Sequence, residues 1–266
     1  MPLIIFSHAN SFPASTYGVL FRSLRALGHT VCALEKLGHD PRFPVTNNWP
    51  NLVQQLAEFA HLQVAAHGAP AMFVGHSMGG FLSLMVAARH PTLARGVVLL
   101  DAPLLGGWRA NTLALLKHSG LMGSLSPSAV SRKRRQHWDS EQQALAHFQR
   151  KKIFARWDPQ VLQDYIAHGT INVAGQRVLS FDRAVESTLY NTLPHNLERW
   201  LRAHPLQSSV AFIGGTESQE MKRAGMSLTR KLARGRITML AGSHLFPMEA
   251  PHETAAAIDA AIQSFK

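Results

Sequence analysis

Short runs of almost purely apolar residues recur along the chain at residues 3–6, 31–34, 71–74, 97–100, 210–213 and 237–240. Between them the apolar positions switch to helical spacing. Leu20, Leu24 and Leu27 share a stripe within residues 17–27, and Leu52, Leu56, Phe59 and Leu62 do so within residues 51–66. A third such segment, 78–89, follows the third run and is stopped by Pro91. Unbroken apolar runs of this length are what strands look like when both faces are covered, and parallel pairing requires a crossover helix between them. The pattern predicts an α/β fold: a mostly parallel sheet of about six strands with helices on both faces.

The rhythm breaks once. About a hundred residues separate the fourth run from the fifth, where a single crossover helix needs far fewer. This stretch carries helical periods at 111–117, 141–154, 159–168 and 181–189, together with Trp108, Trp138, Trp157 and Trp200. It predicts a mostly helical cap over the carboxyl edge of the sheet, dividing the chain into a core of residues 1–103 and 207–266 and a cap of residues 104–206. The cap tryptophans are expected in packing roles, because large aromatics dominate any core. A last helix is expected over residues 253–265.

Composition narrows the class. With 46% apolar and 16% charged residues in a chain of 266, enough surface can be buried to offset the entropy of ordering, which excludes disorder. Cys32 is the single cysteine, so no internal disulfide can form. The longest apolar stretches, such as residues 84–88, fall far short of the roughly 20 residues a membrane helix needs, so no membrane span is expected. No basic segment followed by an apolar core and a small-residue cleavage site follows Met1, and the expected location is therefore cytoplasmic. The sequence shows no dinucleotide fingerprint, phosphate-binding loop or His-Glu-x-x-His pattern, so neither a cofactor nor a metal is expected.

The 27 Lys and Arg against 16 Asp and Glu leave a net charge of +11, gathered in residues 132–156 and 221–248. Aromatic residues do not alternate with the basic ones and no nucleic-acid motif is present, so nucleic acid is not an expected partner. Charge runs of this kind are mostly solvated helix faces. Their other use here is a handle for an anionic group on a small-molecule substrate.

One motif stands out. Gly75-His76-Ser77-Met78-Gly79-Gly80 directly follows the third apolar run and opens the third helix. A serine on so sharp a strand-to-helix bend requires neighbours without bulk two residues before and two after, and these are Gly75 and Gly79. The bend lifts the Ser77 hydroxyl above the sheet, and the helix start offers the Met78 N–H to a developing oxyanion. A serine hydroxyl is a poor nucleophile without a base in reach, and fifteen histidines compete for that role.

With these residues in this order the chain resembles the α/β-hydrolase superfamily over almost its whole length. The resemblance implies that the base is His244, in Gly242-Ser243-His244-Leu245-Phe246-Pro247 after the last strand, while His8, His39 and His76 only shape the pocket. It implies a second oxyanion donor in Ser7-His8-Ala9-Asn10, where the family usually reads His-Gly-x; Ala9 replaces the glycine and Asn10 supplies the N–H. It also implies an acid that fixes the tautomer of the base. Most relatives carry that acid after the next-to-last strand, in a Gly-x-x-Asp setting. Here Gly214-Gly215-Thr216-Glu217-Ser218 puts Ser218 at the expected Asp position, with Glu217 beside it and Glu220 one turn further on. Some members take the acid from the earlier strand, where Asp101 stands in Leu99-Leu100-Asp101-Ala102-Pro103. Asp101 is preferred and Glu217 remains the alternative.

The implied activity is hydrolysis of a carboxylic ester or thioester of small or medium size through an acyl-enzyme on Ser77. A serine nucleophile argues against the dehalogenase and epoxide-hydrolase branches, which need a carboxylate there. Acyltransferase or carbon-carbon hydrolase chemistry on the same triad, and a non-catalytic ligand receptor on the same fold, are the alternatives. Acyl-chain length and oligomeric state are not set by the sequence.

Overall fold

The computed structural model describes residues 1–107, 112 and 134–265. In chain order its strands are β1 (Leu3–Ser7), β2 (Thr30–Ala33), β3 (Ala71–His76), β4 (Ala94–Leu100), β5 (His137–Trp138), β6 (Thr170–Val173), β7 (Gln176–Leu179), β8 (Ser209–Gly215) and β9 (Ile237–Leu240). The first three long helices are α1 (Gly18–Ala26), α2 (Pro50–His67) and α3 (Met78–Arg89).

Each of the apolar runs forms a strand of one sheet, ordered β2-β1-β3-β4-β8-β9 and parallel throughout. Side chains alternate along each strand, so neighbouring residues feed opposite layers. Ile4, Phe6, Val74 and Val98 pack into one core, which includes Leu20 and Leu24 of α1 and Ile258 of the helix Pro251–Gln263. Leu3, Ile5, Phe73 and Val97 pack into the other, with Leu52 and Leu56 of α2 and Leu82 of α3. Covered strands are the rule in the middle of the sheet, where β1 and β3 are buried throughout. The expectation fails at β9, an edge strand on which Met239 is 45% exposed.

The strand order positions the site. From β1 the chain moves outward to β2, then returns to place β3 on the other side of β1. This reversal opens a crevice beyond the carboxyl ends of β1 and β3, where ligands bind in open α/β sheets. The turns that begin at His8 and at Ser77 both lie at that edge.

Between β4 and β8 the described residues add a small sheet to the expected, mostly helical pattern. Helices Glu141–Gln149, Pro159–Gly169, Arg183–Asn191 and Leu197–Ala203 are joined by a small antiparallel sheet ordered β5-β7-β6. The expected helix over 141–154 stops at Gln149, and the one over 181–189 starts later because Asp182 caps it, accepting the Ala184 N–H at 2.6 Å. The β6–β7 hairpin turns on Ala174 and Gly175, both at positive φ (49° and 83°), the geometry of a tight two-residue hairpin loop. The Asn-Gly signal usual for such a loop is missing, and Ile171 and Val173 are half-exposed, so no inward-outward alternation marks the strands. Trp138 and Trp157 are buried in one aromatic cluster with Phe148, Phe154 and Tyr165. The expected helix over 111–117 and Trp108 lie outside the described residues. No helix among the described residues is long and apolar enough to cross a membrane.

Candidate active site

Ser77 occupies the single position between the end of β3 and the start of α3, at φ 53° and ψ −116°. Few residues with a side chain adopt that conformation, and it persists where the surroundings over-determine it. Here its N–H donates to the Leu100 carbonyl at 2.9 Å, prolonging the β3–β4 ladder by one rung, and its carbonyl accepts the Gly80 N–H at 3.0 Å. A Cβ on Gly75 would overlap the backbone of Gly79 and Gly80, and one on Gly79 would overlap the backbone of Ser7 and His8. The two glycines thus let β3, α3 and the turn after β1 close around the serine.

Three side chains converge at this edge. His244 Nε2 lies 3.0 Å from Ser77 Oγ, and His244 Nδ1 lies 2.8 Å from Asp101 Oδ1. Asp101 is fully buried at φ 38°, and its N–H donates to the Ile213 carbonyl at 2.8 Å. Its Oδ2 accepts the Gly215 N–H at 2.8 Å and its Oδ1 also accepts the Ser218 hydroxyl at 2.6 Å. A carboxylate only accepts hydrogen bonds, so the proton of a neutral His244 sits on Nδ1 and the bare Nε2 faces the serine hydroxyl. That is the tautomer a general base needs.

Glu217 is elsewhere. It is exposed and forms a two-pronged pair with Arg156, at 2.8 and 3.0 Å. The hydrogen bonds from that guanidinium hold its carboxyl below the usual range. Glu220 is closer, 3.9 Å from His244 Nδ1, but half-exposed. Ser218, at the position where relatives usually carry Asp, instead donates to Asp101 while its Oγ accepts the Met221 N–H at 3.2 Å and caps the helix Gln219–Ala224.

The two expected oxyanion donors border the same space as Ser77. The Ala9 N–H is engaged by the Tyr17 hydroxyl at 3.1 Å, whereas the Asn10 and Met78 N–H groups make no hydrogen bond to another described residue. The Asn10 side-chain amide donates to the Glu186 carbonyl at 3.1 Å, so its backbone N–H is the donor left without a described partner.

Two of the remaining histidines brace this edge. His8 Nε2 accepts the Leu37 N–H at 2.8 Å, so its Nδ1–H donates to the Ala9 carbonyl at 2.8 Å. His76 Nε2–H donates to the His244 carbonyl at 2.9 Å, and its Nδ1 accepts the Tyr17 hydroxyl at 2.8 Å. Burial pushes the pKa of His8 down to about 4 and that of His76 well below its ordinary value, so both are neutral near pH 7. His39 is half-buried, with its Nε2 accepting the Asp182 N–H at 3.0 Å. Through His76, Tyr17 thus connects the turn after β1 to the loop that carries His244. Nothing in the sequence around it signals that role.

Two cavities meet at Ser77. One, of about 330 Å³, is lined by Trp49, Phe81, Leu105, Leu189 and Leu193 and is mainly apolar. The other, of about 640 Å³, is lined by Ser11, Arg134, Lys151, Glu186 and Glu217 and is more polar. Asn10, Tyr190, Arg223 and His244 border both. Among the described tryptophans Trp49, at the start of α2, therefore lines this space beside Phe81 and Tyr190, while Trp138 and Trp157 serve packing. No group of three or more His, Cys, Asp or Glu among the described residues has the geometry to hold a metal ion.

Comparison with known proteins speaks to family and fold. The model of the alpha/beta hydrolase family matches residues 4–257. Monoglyceride lipase of Mus musculus is 30% identical over 119 residues, covering 43% of this chain and 39% of the relative. The chain spans less than half the length of the curated relatives it matches. Among solved structures, a peroxisomal α/β-hydrolase of Saccharomyces cerevisiae superposes with a TM-score of 0.73 at 16% identity, covering 99% of this chain and 76% of that one. E-2-(acetamidomethylene)succinate hydrolase gives 0.73 at 21% identity, covering 98% and 91%. At these identities the structural likeness speaks to fold alone.

Proposed function

From the premise that this chain belongs to the alpha/beta hydrolase family, we propose that it is a serine hydrolase of carboxylic esters or thioesters. The observation that carries the reading is the continuous Ser77–His244–Asp101 chain of hydrogen bonds, at 3.0 and 2.8 Å. The name of the mouse relative, a monoglyceride lipase, supports ester chemistry.

In this reading Ser77 Oγ attacks the substrate carbonyl carbon while its proton passes to His244 Nε2. The carbonyl oxygen becomes an oxyanion held by the N–H groups of Asn10 and Met78, and each such donor is worth about a hundredfold or more in turnover. The tetrahedral centre collapses, the bond to the alcohol or thiol breaks, and the leaving group takes the proton from Nε2. Water then gives a proton to Nε2 and attacks the acyl-enzyme, and the second collapse returns the proton to Ser77. Asp101 stays ionised throughout and stabilises the imidazolium.

The two cavities divide the substrate. The smaller one takes an apolar acyl group, and the larger takes a polar alcohol or thiol. Arg134 is paired with Glu186 and Glu217 with Arg156, while Lys151 and Arg223 also line the larger cavity, so it suits a polar leaving group. Residues 104–206 act as the cap, since Glu186, Leu189, Tyr190 and Leu193 from this segment wall the two cavities.

The test is to treat native protein and Ser77→Ala with a fluorophosphonate probe and with nitrophenyl esters of increasing acyl length. Native protein is expected to label and turn over, and the variant to lose about a thousandfold or more in kcat. A native protein as inert as Ser77→Ala would overturn the assignment in favour of a ligand-binding role for the fold.

A further inference from the structure

The turn that carries the Asn10 amide is held in an unusual shape. Its next residue, Ser11, has φ 80°, a left-handed conformation that residues with a side chain rarely adopt and that survives only where the surroundings enforce it. Much of that enforcement comes from one residue far away in sequence. Glu186, in the helix Arg183–Asn191, is 3% exposed. Its Oε1 accepts the Ser11 hydroxyl at 2.5 Å, and its backbone carbonyl accepts Asn10 Nδ2 at 3.1 Å. Its Oε2 lies 2.8 Å from Arg134 Nη2. A single residue therefore grips both Asn10 and Ser11, and the guanidinium offsets the cost of burying its charge.

Resting on the reading of the Asn10 N–H as an oxyanion donor, we propose that Glu186 is a positioning residue, coupling the seating of the helix Arg183–Asn191 to the direction of that N–H. The physical argument is one of tolerance. A donor helps only where the oxyanion forms, and a displacement of about 1 Å costs about a hundredfold. The peptide that aims the Asn10 N–H is separated from the strained Ser11 by Asn10 alone, so loosening the grip lets the turn relax towards an ordinary conformation and, through Asn10, swings the donor off line. The loss falls on the transition state, where the oxyanion exists, and leaves ground-state binding almost untouched. The helix also walls the acyl cavity through Leu189 and both cavities through Tyr190. A substrate that fills those walls therefore seats the same helix that holds the oxyanion donor.

The experiment compares kcat and KM for an ester across native protein, Ser11→Ala, Glu186→Ala, Glu186→Gln and the Ser11→Ala/Glu186→Ala pair, with melting curves for each. Ser11→Ala and Glu186→Ala break the same hydroxyl–carboxylate contact and both keep the Glu186 carbonyl on Asn10 Nδ2, so each is expected to lower kcat about tenfold with KM within about twofold. Glu186→Gln keeps an acceptor at the same reach and is expected to restore most of the rate. The pair is expected to be no slower than Glu186→Ala alone, the non-additivity of residues acting through one contact. Should Glu186→Ala fail to fold, Ser11→Ala, which removes a single hydroxyl, still decides. Unchanged kcat in Ser11→Ala, or a loss confined to KM, would overturn the coupling while the hydrolase reading stands. A native protein without turnover would overturn both together.

Discussion

At the carboxyl end of β4 the chain turns through Asp101, sealed from solvent and held at φ 38°; at the end of the neighbouring strand β8 it offers Glu217, exposed and paired with Arg156. Both ends lie at the same edge of the sheet, and each supplies a carboxylate near the loop of His244. Their surroundings differ in kind. Asp101 accepts from the Gly215 N–H, the Ser218 hydroxyl and His244 Nδ1, and these donors offset the desolvation of its charge. The β8 loop therefore donates to Asp101 instead of carrying the carboxylate that meets His244. The difference teaches that the residue able to orient an imidazole is the one whose direction and solvation are already fixed by its neighbours.

The largest test of that contrast is Asp101→Asn. An amide can donate to Nδ1 and so favours the wrong tautomer, and kcat is expected to fall about a thousandfold to ten-thousandfold with little change in KM. Ester turnover within tenfold of native would remove Asp101 from its assigned part. Moving the acid sharpens the contrast further. Ser218 Oγ lies 2.6 Å from Asp101 Oδ1, so Ser218→Asp in an Asp101→Ala background places a carboxylate near the vacated space. Turnover about tenfold above that of Asp101→Ala alone is expected. Absence of any gain would mean that the direction imposed by β4, and not the space beside His244, is what the imidazole requires.

A smaller effect is expected from Ser218→Ala. It deletes one donor to a buried carboxylate and the cap of the helix Gln219–Ala224. A hydrogen bond to a charged group contributes about 1.5–3 kcal/mol, so denaturant unfolding should show a loss in that range. Turnover should fall by less than in Asp101→Asn, because His244 keeps its partner. Native stability in Ser218→Ala would mean that Asp101 draws its support from β4 and Gly215 alone.

The same contrast explains what could be read from the residues in order. The strands were legible because a strand covered on both faces has to be apolar, and the bend at Ser77 because its sterics demand glycine at 75 and 79. Those constraints are local. The preference for Asp101 rested on resemblance, since its φ, its burial and its three donors arise only when β4, β8 and the His244 loop meet. Ser218 reads as a gap in the family pattern, and its hydroxyl donates to Asp101 Oδ1. Tyr17, Trp49 and Glu186 gave no signal, because each reaches the site from an element with no motif of its own. The β5-β7-β6 sheet was missed for a related reason: its exposed Ile171 and Val173 carry no buried face to impose a period of two.

The smallest expected effect belongs to Glu217→Gln. Removing this charge leaves Arg156 Nη2 still 3.3 Å from Glu249, whose buried carboxylate holds the N–H and hydroxyl of Ser243, next to His244. The loop of the base therefore keeps its anchor. A solvent-screened surface pair contributes little, so kcat is expected within about twofold of native and the melting temperature unchanged. A tenfold loss of kcat in Glu217→Gln would place the β8 loop among the groups that act on His244 and erase the distinction between the two strand ends. If Glu249→Gln slows the enzyme while Glu217→Gln does not, the part played by Arg156 lies in bracing Glu249, and the exposed acid after β8 is a spectator of the reaction.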